Sequence, residues 1–192
     1  MTFSFFACSC LSCRPPSPII TLPLFPELDR LLLELLPSLT PADWQRPTLA
    51  REWTVQDVAA HLLDGNLRTF SMLRDGHFGE APADTSYAGI VAYLNRLNAD
   101  WVRAARRLSP AALIELLAQS GCEYTAYLNT LDPWAPAAFA VAWAGESASL
   151  NWFHMACDYT EKWHRQQLNQ HRCGPDRAAD ATGIFFSHLL RQ

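Results

Sequence analysis

Hydrophobic residues recur at helical spacing from the start of the chain's first regular segment. The segment PELDRLLLELLPSL repeats leucine every three or four positions, which predicts an amphipathic helix that is closed by Pro37. Its predicted apolar face consists of Leu28, Leu31, Leu32, Leu35 and Leu36. The following segment, with two prolines, predicts an ordered loop in which Trp44 and Trp53 pack against the core.

A second helix is predicted to begin at Thr54. Thr54 with Asp57 three residues later is typical of a capping box, in which side chains satisfy the free amides of the first turn. The apolar face of this helix comprises Val55, Val58, Leu62, Thr69, Met72 and Leu73. His61 falls on the side of Val58 and Leu62, so we expect its ring to point inward.

Three further helices follow, and no segment predicts a strong strand. One covers roughly 87–108, another starts at the Ser109 cap with Pro110 in its first turn, and the last covers about 147–169. A linker bounded by proline and glycine, 131–147, precedes the last helix. This pattern predicts an all-α fold, an up-and-down helical bundle, whose centre is where metal sites of bundles form.

Composition narrows the function classes. With 192 residues, 49% of them hydrophobic, and a net charge of −4, the chain suits one globular domain and offers no broad basic surface for nucleic acid. No apolar run reaches the roughly 18 residues of a membrane span, and the amino terminus is a poor secretory signal. We therefore expect a soluble, cytoplasmic protein with no nucleic-acid or membrane partner.

The domain boundaries follow from the same pattern. We predict a disordered arm over 1–23, a helical bundle over 24–170 and a tail over 171–192 that matches nothing we can place. The arm carries Cys8, Cys10 and Cys13, but a metal role there is disfavoured because no fourth ligand lies nearby.

The last helix contains the candidate chemistry. Glu161 and His164 are three residues apart and share a helix face, and with His61 they would form a two-histidine, one-carboxylate set for a divalent cation. Two plainer interpretations stay open. His61 would be a hydrogen-bonded core residue, and Glu161 with Lys162 would belong to a solvated charged face. His154, seven residues before Glu161, would be a ligand or a hydrogen-bond partner of one.

Two segments resemble a known family. LTPADWQRPTLAREWTVQDVAAHLLDGN is similar to the opening of the mycothiol-dependent maleylpyruvate isomerase family, a branch of the DinB-like four-helix metalloproteins. VAWAGESASLNWFHMACDYTEKWHRQQ resembles a later helix of that family. The resemblance covers about 24–170 and implies a DinB-like up-and-down four-helix bundle with extra short helices and loops. It also implies His61 and Glu161 as metal ligands.

The third ligand departs from the family pattern. In the family a histidine commonly stands four residues after the glutamate, and that position is Arg165 in this chain. His164 stands at three, which is still on the same helix face, so it would take the third ligand position after a modest helix rotation.

The resemblance implies thiol-dependent chemistry. The expected cofactors are a divalent metal, zinc above all, and a low-molecular-weight thiol such as mycothiol or bacillithiol as cosubstrate. The expected activity is isomerisation of, or S-transfer to, a small electrophilic substrate, with Arg68, Arg74 or Arg165 binding substrate carboxylates, Arg68 and Arg165 above all. The alternative is a non-catalytic binding or interaction protein with a degenerate metal site. A homodimer is expected only by analogy.

Overall fold

Six α-helices build the fold of the computed structural model, which describes residues 19–48, 52–139 and 150–170, with side chains to residue 162 in the last helix. The helices are α1 (Phe25–Leu35), α2 (Pro41–Trp44), α3 (Val55–Thr69), α4 (Tyr87–Ala105), α5 (Pro110–Leu128) and α6 (Asn151–Gln170). A π-helical turn, Phe70–Arg74, continues α3. The described residues contain no strand, only isolated bridges, so the all-α prediction is confirmed and the fold is a DinB-like helical bundle.

Helix α1 buries a slightly different face from the predicted one. Leu28, Leu32 and Leu36 are buried as expected, but Leu31 is 38% exposed and Phe25 is fully buried instead. The buried positions follow an i, i+4, i+8 row, and Leu31 lies off that row on the solvent side. A 3-10 turn, Leu22–Leu24, leads into α1, so the described fold includes residues that the sequence analysis assigned to the arm.

The segment after α1 is more ordered than a loop. Thr40 and Asp43 form a reciprocal capping box, with Pro41 at the first helical position, and this starts the short helix α2. The prediction of a loop is therefore wrong over 41–44. Trp44 ends α2 and is buried in the main core cluster, as predicted.

Helix α3 lies at the centre of the bundle. It packs against α4, α5 and α6, and most of its residues are buried on all sides. The small residues Ala59 and Ala60 let neighbouring helices approach, and the indole of Trp101 donates to the carbonyl of Ala60 at 2.7 Å. A helix that is surrounded in this way needs a partner for every polar side chain that it carries inward.

The remaining helices agree with their predictions, apart from their ends. Ser109 caps α5 through its side chain, and the predicted face of α5 is buried: Leu113, Leu117, Tyr124 and Leu128. Helix α4 ends at Ala105, three residues earlier than predicted, and α6 begins at Asn151. Part of the predicted linker, 140–149, lies outside the described residues.

Asp57 fixes the start of α3 to the end of α4. It accepts the Thr54 amide at 2.9 Å and two bonds from the Arg106 guanidinium at 2.9 and 3.0 Å, while its own side chain is 1% exposed. Burial raises the pKa of Asp57, but Arg106 and Thr54 together outweigh burial and hold the pKa below its usual value of 3.8.

The lowered pKa of Asp57 gives a pH-dependent stability. The contribution is present above pH 3.8 and is lost as the pH falls through the lower folded pKa. We expect Asp57→Asn to reduce the free energy of unfolding at neutral pH by about 1–3 kcal/mol, because a charge-assisted bidentate contact is lost. The difference from the unsubstituted protein should shrink in acid, as measured by urea unfolding across pH.

Asp43→Asn is the matched control, because Asp43 fills the same capping-box position and pairs with Arg46 at 3.0 Å, but its side chain is 25% exposed. We expect it to cost less than about 1 kcal/mol. Equal losses from the two substitutions would contradict the role assigned to the Asp57–Arg106 contact.

Candidate metal centre

Helices α3 and α6 bring His61 and Glu161 together. His61 Nε2 and Glu161 Oε1 are 3.3 Å apart, although the two residues are separated by most of the bundle in sequence. The His61 side chain is 6% exposed, whereas that of Glu161 is 50% exposed. The pair therefore has an imidazole anchored in the core and a carboxylate that borders solvent.

Trp53 packs against the His61 ring. The two ring centroids are 5.0 Å apart, so Trp53, which was predicted to pack on the core, packs on the candidate ligand. His61 Nδ1 is buried and has no hydrogen-bond partner among the described residues. The edge of the ring that carries Nε2 is directed toward Glu161 of α6.

A cleft opens beside this pair. Its cavity volume is about 70 Å³, and α3 lines it with His61, Gly65 and Arg68. Helix α6 contributes Asp158, Glu161 and Lys162, and Tyr124 of α5 completes the floor. The lining therefore combines titratable groups of both signs with one aromatic ring.

Lys162 is buried beneath the cleft, with 8% of its surface exposed. Its ammonium donates to the Asn66 side-chain oxygen at 2.6 Å and lies 3.6 Å from the centroid of the Tyr124 ring. The interpretation of Glu161 and Lys162 as one solvated charged face is wrong for Lys162. Burial lowers the pKa of Lys162, and the carboxylates of Asp29, Asp158 and Glu161 act against that shift.

Asp158 lies one turn before Lys162 on the same helix. Its carboxylate accepts the Tyr124 hydroxyl at 2.7 Å. Burial raises the pKa of Asp158 to about 6, although the hydroxyl and the charge of Lys162 oppose the increase. Tyr124 is thus held at its hydroxyl by one residue of α6 and at its ring face by another.

The remaining predicted site residues have mixed outcomes. His164 and Arg165 lie within α6, but their side chains are outside the described residues.

Arg68 lines the cleft. Its guanidinium lies 2.9 Å from Asp64 and donates to Asn98 of α4 at 2.9 Å. His154 is half-buried, and its ring lies beside Phe139 rather than at the His61–Glu161 pair. Arg74 contacts Asp75 at 2.8 Å and is not part of the cleft lining.

Sequence reasoning did not single out Lys162, Asn66 or Tyr124 for the site. A signal for Lys162 was present, because it lies seven residues after the buried Met155 and four after Asp158, which places it on the inner face of α6. Its partner Asn66 gives no such signal, since nothing local in the sequence relates an amide on α3 to a lysine on α6.

The His61–Glu161 geometry fits two ligands of one metal ion. Two ligand atoms at about 2.0–2.2 Å from a tetrahedral zinc lie roughly 3.3–3.6 Å apart, and the observed separation is 3.3 Å. Among the side chains that the structure describes, no group of three histidine, cysteine or carboxylate residues is arranged to hold a metal. His164, the predicted third ligand, lies beyond those side chains.

Comparison with known proteins is consistent with this geometry. The family model of the mycothiol maleylpyruvate isomerase N-terminal domain matches residues 25–169. The chain belongs to this family. The family is one of mycothiol-related, DinB-like metal-binding domains, as the resemblance of the two segments implied. No curated protein and no solved structure gives a match.

None of the helices that the structure describes combines the length and the hydropathy needed to cross a bilayer.

The raised pKa of Asp158 predicts a stability change opposite in sign to that of Asp57. Its folded pKa of about 6 exceeds the usual 3.8, so its contribution is largest at low pH and falls as the pH rises between these values. We expect Asp158→Asn to gain up to about 3 kcal/mol relative to the unsubstituted protein between about pH 4 and about pH 7. Urea unfolding at both pH values measures this difference.

Asp75→Asn is the control for this experiment, because Asp75 is exposed and its contact with Arg74 lowers its pKa. The control should not show the relative gain. A constant difference between Asp158→Asn and the unsubstituted protein at both pH values would contradict the raised pKa of Asp158.

Proposed function

We propose that this protein binds a divalent metal, with zinc expected, between α3 and α6, and acts with a low-molecular-weight thiol as an isomerase or S-transferase. The observation that supports the proposal is the approach of His61 Nε2 to Glu161 Oε1, at 3.3 Å, on the wall of a cleft. Imidazole and carboxylate are the ligands that zinc takes when an open position is kept for chemistry.

The proposed ligands are His61, Glu161 and His164. A metal bound there would lower the pKa of a coordinated thiol, such as mycothiol or bacillithiol, and so hold it as a thiolate at neutral pH. The buried imidazole of His61 supplies a rigid anchor, because Trp53 packs against its ring. The half-exposed carboxylate of Glu161 borders the open side, where a small molecule would enter.

Substrate binding is proposed to involve the cleft wall. An electrophilic substrate with a carboxylate would need a cation, and Arg68 is the guanidinium in the described lining. Arg68 already contacts Asp64 and Asn98, so it would bind a substrate by sharing or exchanging these partners. Arg165, on the last turns of α6, is the second proposed cation.

A second candidate function rests on a specific observation. Arg165 stands where the family commonly has a histidine, and the buried ammonium of Lys162 already acts electrostatically on Glu161. Two cations near the carboxylate would disfavour a metal by Coulomb repulsion. On this alternative the protein keeps the bundle as a binding or interaction module without catalysis.

Metal binding separates the two candidates. We expect the purified protein to hold one zinc ion per chain, and His61→Ala, Glu161→Gln and His164→Ala each to weaken zinc affinity at least about 100-fold, beyond the roughly 10- to 100-fold typical of outer partners. Competition with a zinc-binding dye measures the affinity. Circular dichroism verifies that each variant is folded.

His77→Ala is the matched control, since His77 is an exposed histidine in the connection between α3 and α4. It should bind zinc as the unsubstituted protein does. If the purified protein binds no zinc, and His61→Ala and His164→Ala leave its circular dichroism unchanged, the result would support the non-catalytic alternative.

Thiol chemistry has its own test. Because a free thiol has a pKa near 8.5, its capture as a thiolate at neutral pH should release about one proton per thiol bound. Calorimetric titration of zinc-loaded protein with mycothiol or bacillithiol, in buffers that differ in ionisation enthalpy, measures that release. An analogue with a hydroxyl in place of the thiol should release none. Thiol binding without proton release would contradict the proposed activity.

A further inference from the structure

The buried face of α6 is held by side chains from three other helices. Lys162 Nζ contacts Asn66 of α3 and the Tyr124 ring of α5, and it lies 5.6 Å from the centroid of the Phe25 ring of α1. Asp29 of α1 also acts on its charge. A single ammonium thus contacts or faces side chains of α1, α3 and α5.

Asn66 is itself fixed. Its side-chain nitrogen donates to the Ser120 hydroxyl at 3.0 Å, and its oxygen accepts from Lys162 at 2.6 Å. These two bonds assign the orientation of the amide, because only the oxygen can accept from an ammonium. Asn66 is 2% exposed and Ser120 is 4% exposed, so the chain from α5 through α3 to α6 is shielded from water.

Helices α3 and α6 also carry the candidate ligands. His61 and Asn66 are five residues apart on α3, and Glu161 and Lys162 are adjacent on α6. Adjacent residues on a helix differ in direction by about 100°, so a helix whose Lys162 is anchored has its rotation fixed, and the direction of Glu161 with it. Because the Glu161 side chain is half exposed and Lys162 is buried, the surrounding side chains restrain Lys162 more than Glu161.

We propose that Lys162, anchored by Asn66 and by the ring of Tyr124, is the positioning residue that sets the rotation of α6 and so places Glu161 beside His61. The metal part of this inference rests on the proposed function, but the contact between His61 and Glu161 does not. In this role Lys162 acts through Glu161.

The experiment uses Lys162→Met, which keeps the length and apolar stem of the side chain, and Asn66→Ala, which keeps the ammonium but removes its anchor. In metal-free protein, the ¹⁵N resonance of His61 Nε2 reports its contact with Glu161. Glu161→Gln should move this resonance in the otherwise unsubstituted protein and move it much less when Lys162→Met or Asn66→Ala is also present.

Zinc affinity is the second readout. We expect both variants to weaken zinc binding by about 10- to 100-fold, the range typical when a partner that orients a ligand is removed. Lys162→Met also removes a positive charge near the site, which by itself would strengthen binding. Tighter zinc binding by Lys162→Met would therefore overturn the positioning role, whereas weaker binding by both variants supports it.

Gln56→Met is the matched control. Gln56 lies on α3 with the same 8% exposure as Lys162, and it donates to the Leu108 carbonyl at 3.0 Å, away from α6. It should lower the melting temperature without changing the Glu161-dependent shift of His61 or the zinc affinity. An equal effect of Gln56→Met on these two readouts would reduce Lys162 to a general packing residue and overturn the inference.

The two readouts also separate this inference from the proposed function. If the protein binds no zinc but the His61 resonance responds to Glu161 only when Lys162 is present, the positioning role stands and the metal function fails. If zinc binds and neither readout depends on Lys162 or Asn66, the function stands and the positioning role fails. A His61 resonance indifferent to Glu161→Gln in the unsubstituted background would contradict the positioning role in either case.

Discussion

The burial of α3 on all sides is the constraint on which the rest of the structure depends. The polar side chains of a helix at the centre of a bundle cannot hydrogen-bond to water. Each polar group that is buried without a partner lowers the free energy of unfolding by about 1–3 kcal/mol. Gln56, Asp57, His61 and Asn66 are all buried on α3, and their partners include residues of α5, α6 and the turn between α4 and α5. The polar residues of one helix thereby fix the helices around it.

This constraint gives the cleft its asymmetry. His61 is immobilised because it belongs to the central helix, whereas Glu161 belongs to a peripheral helix and keeps half of its side chain exposed. A site that is rigid on one side and open on the other can hold a small ligand without unfolding part of the core. The charges of the buried Lys162 and of Asp158 offset one another beneath it, which limits the desolvation cost of placing either there.

Local chemistry explains what could be predicted from the sequence. Thr54 with Asp57, and Ser109 with Pro110, mark helix starts through contacts within one turn, and these starts are confirmed. The inward direction of His61 follows from its periodicity. The burial of Lys162 was missed because a lysine beside a glutamate is usually solvated, and the amide of Asn66 and the ring of Tyr124 that help to stabilise it there are distant in sequence. Leu31 was wrongly predicted to be buried. Leucines lie on several sides of α1, so the sequence alone does not show which side packs against the other helices.

The anchored rotation of α6 bears on the spacing of the proposed third ligand. Taking Glu161 as the reference, Lys162 lies about 100° to one side of the helix, position 165 lies about 40° to that same side, and position 164 lies about 60° to the other. A ligand at position 165 would share the side of the buried ammonium, whereas one at position 164 is on the side away from it. Coulomb repulsion between Lys162 and a bound cation falls with distance, so in a bundle that buries a lysine here, histidine at the three-residue spacing is electrostatically the better choice.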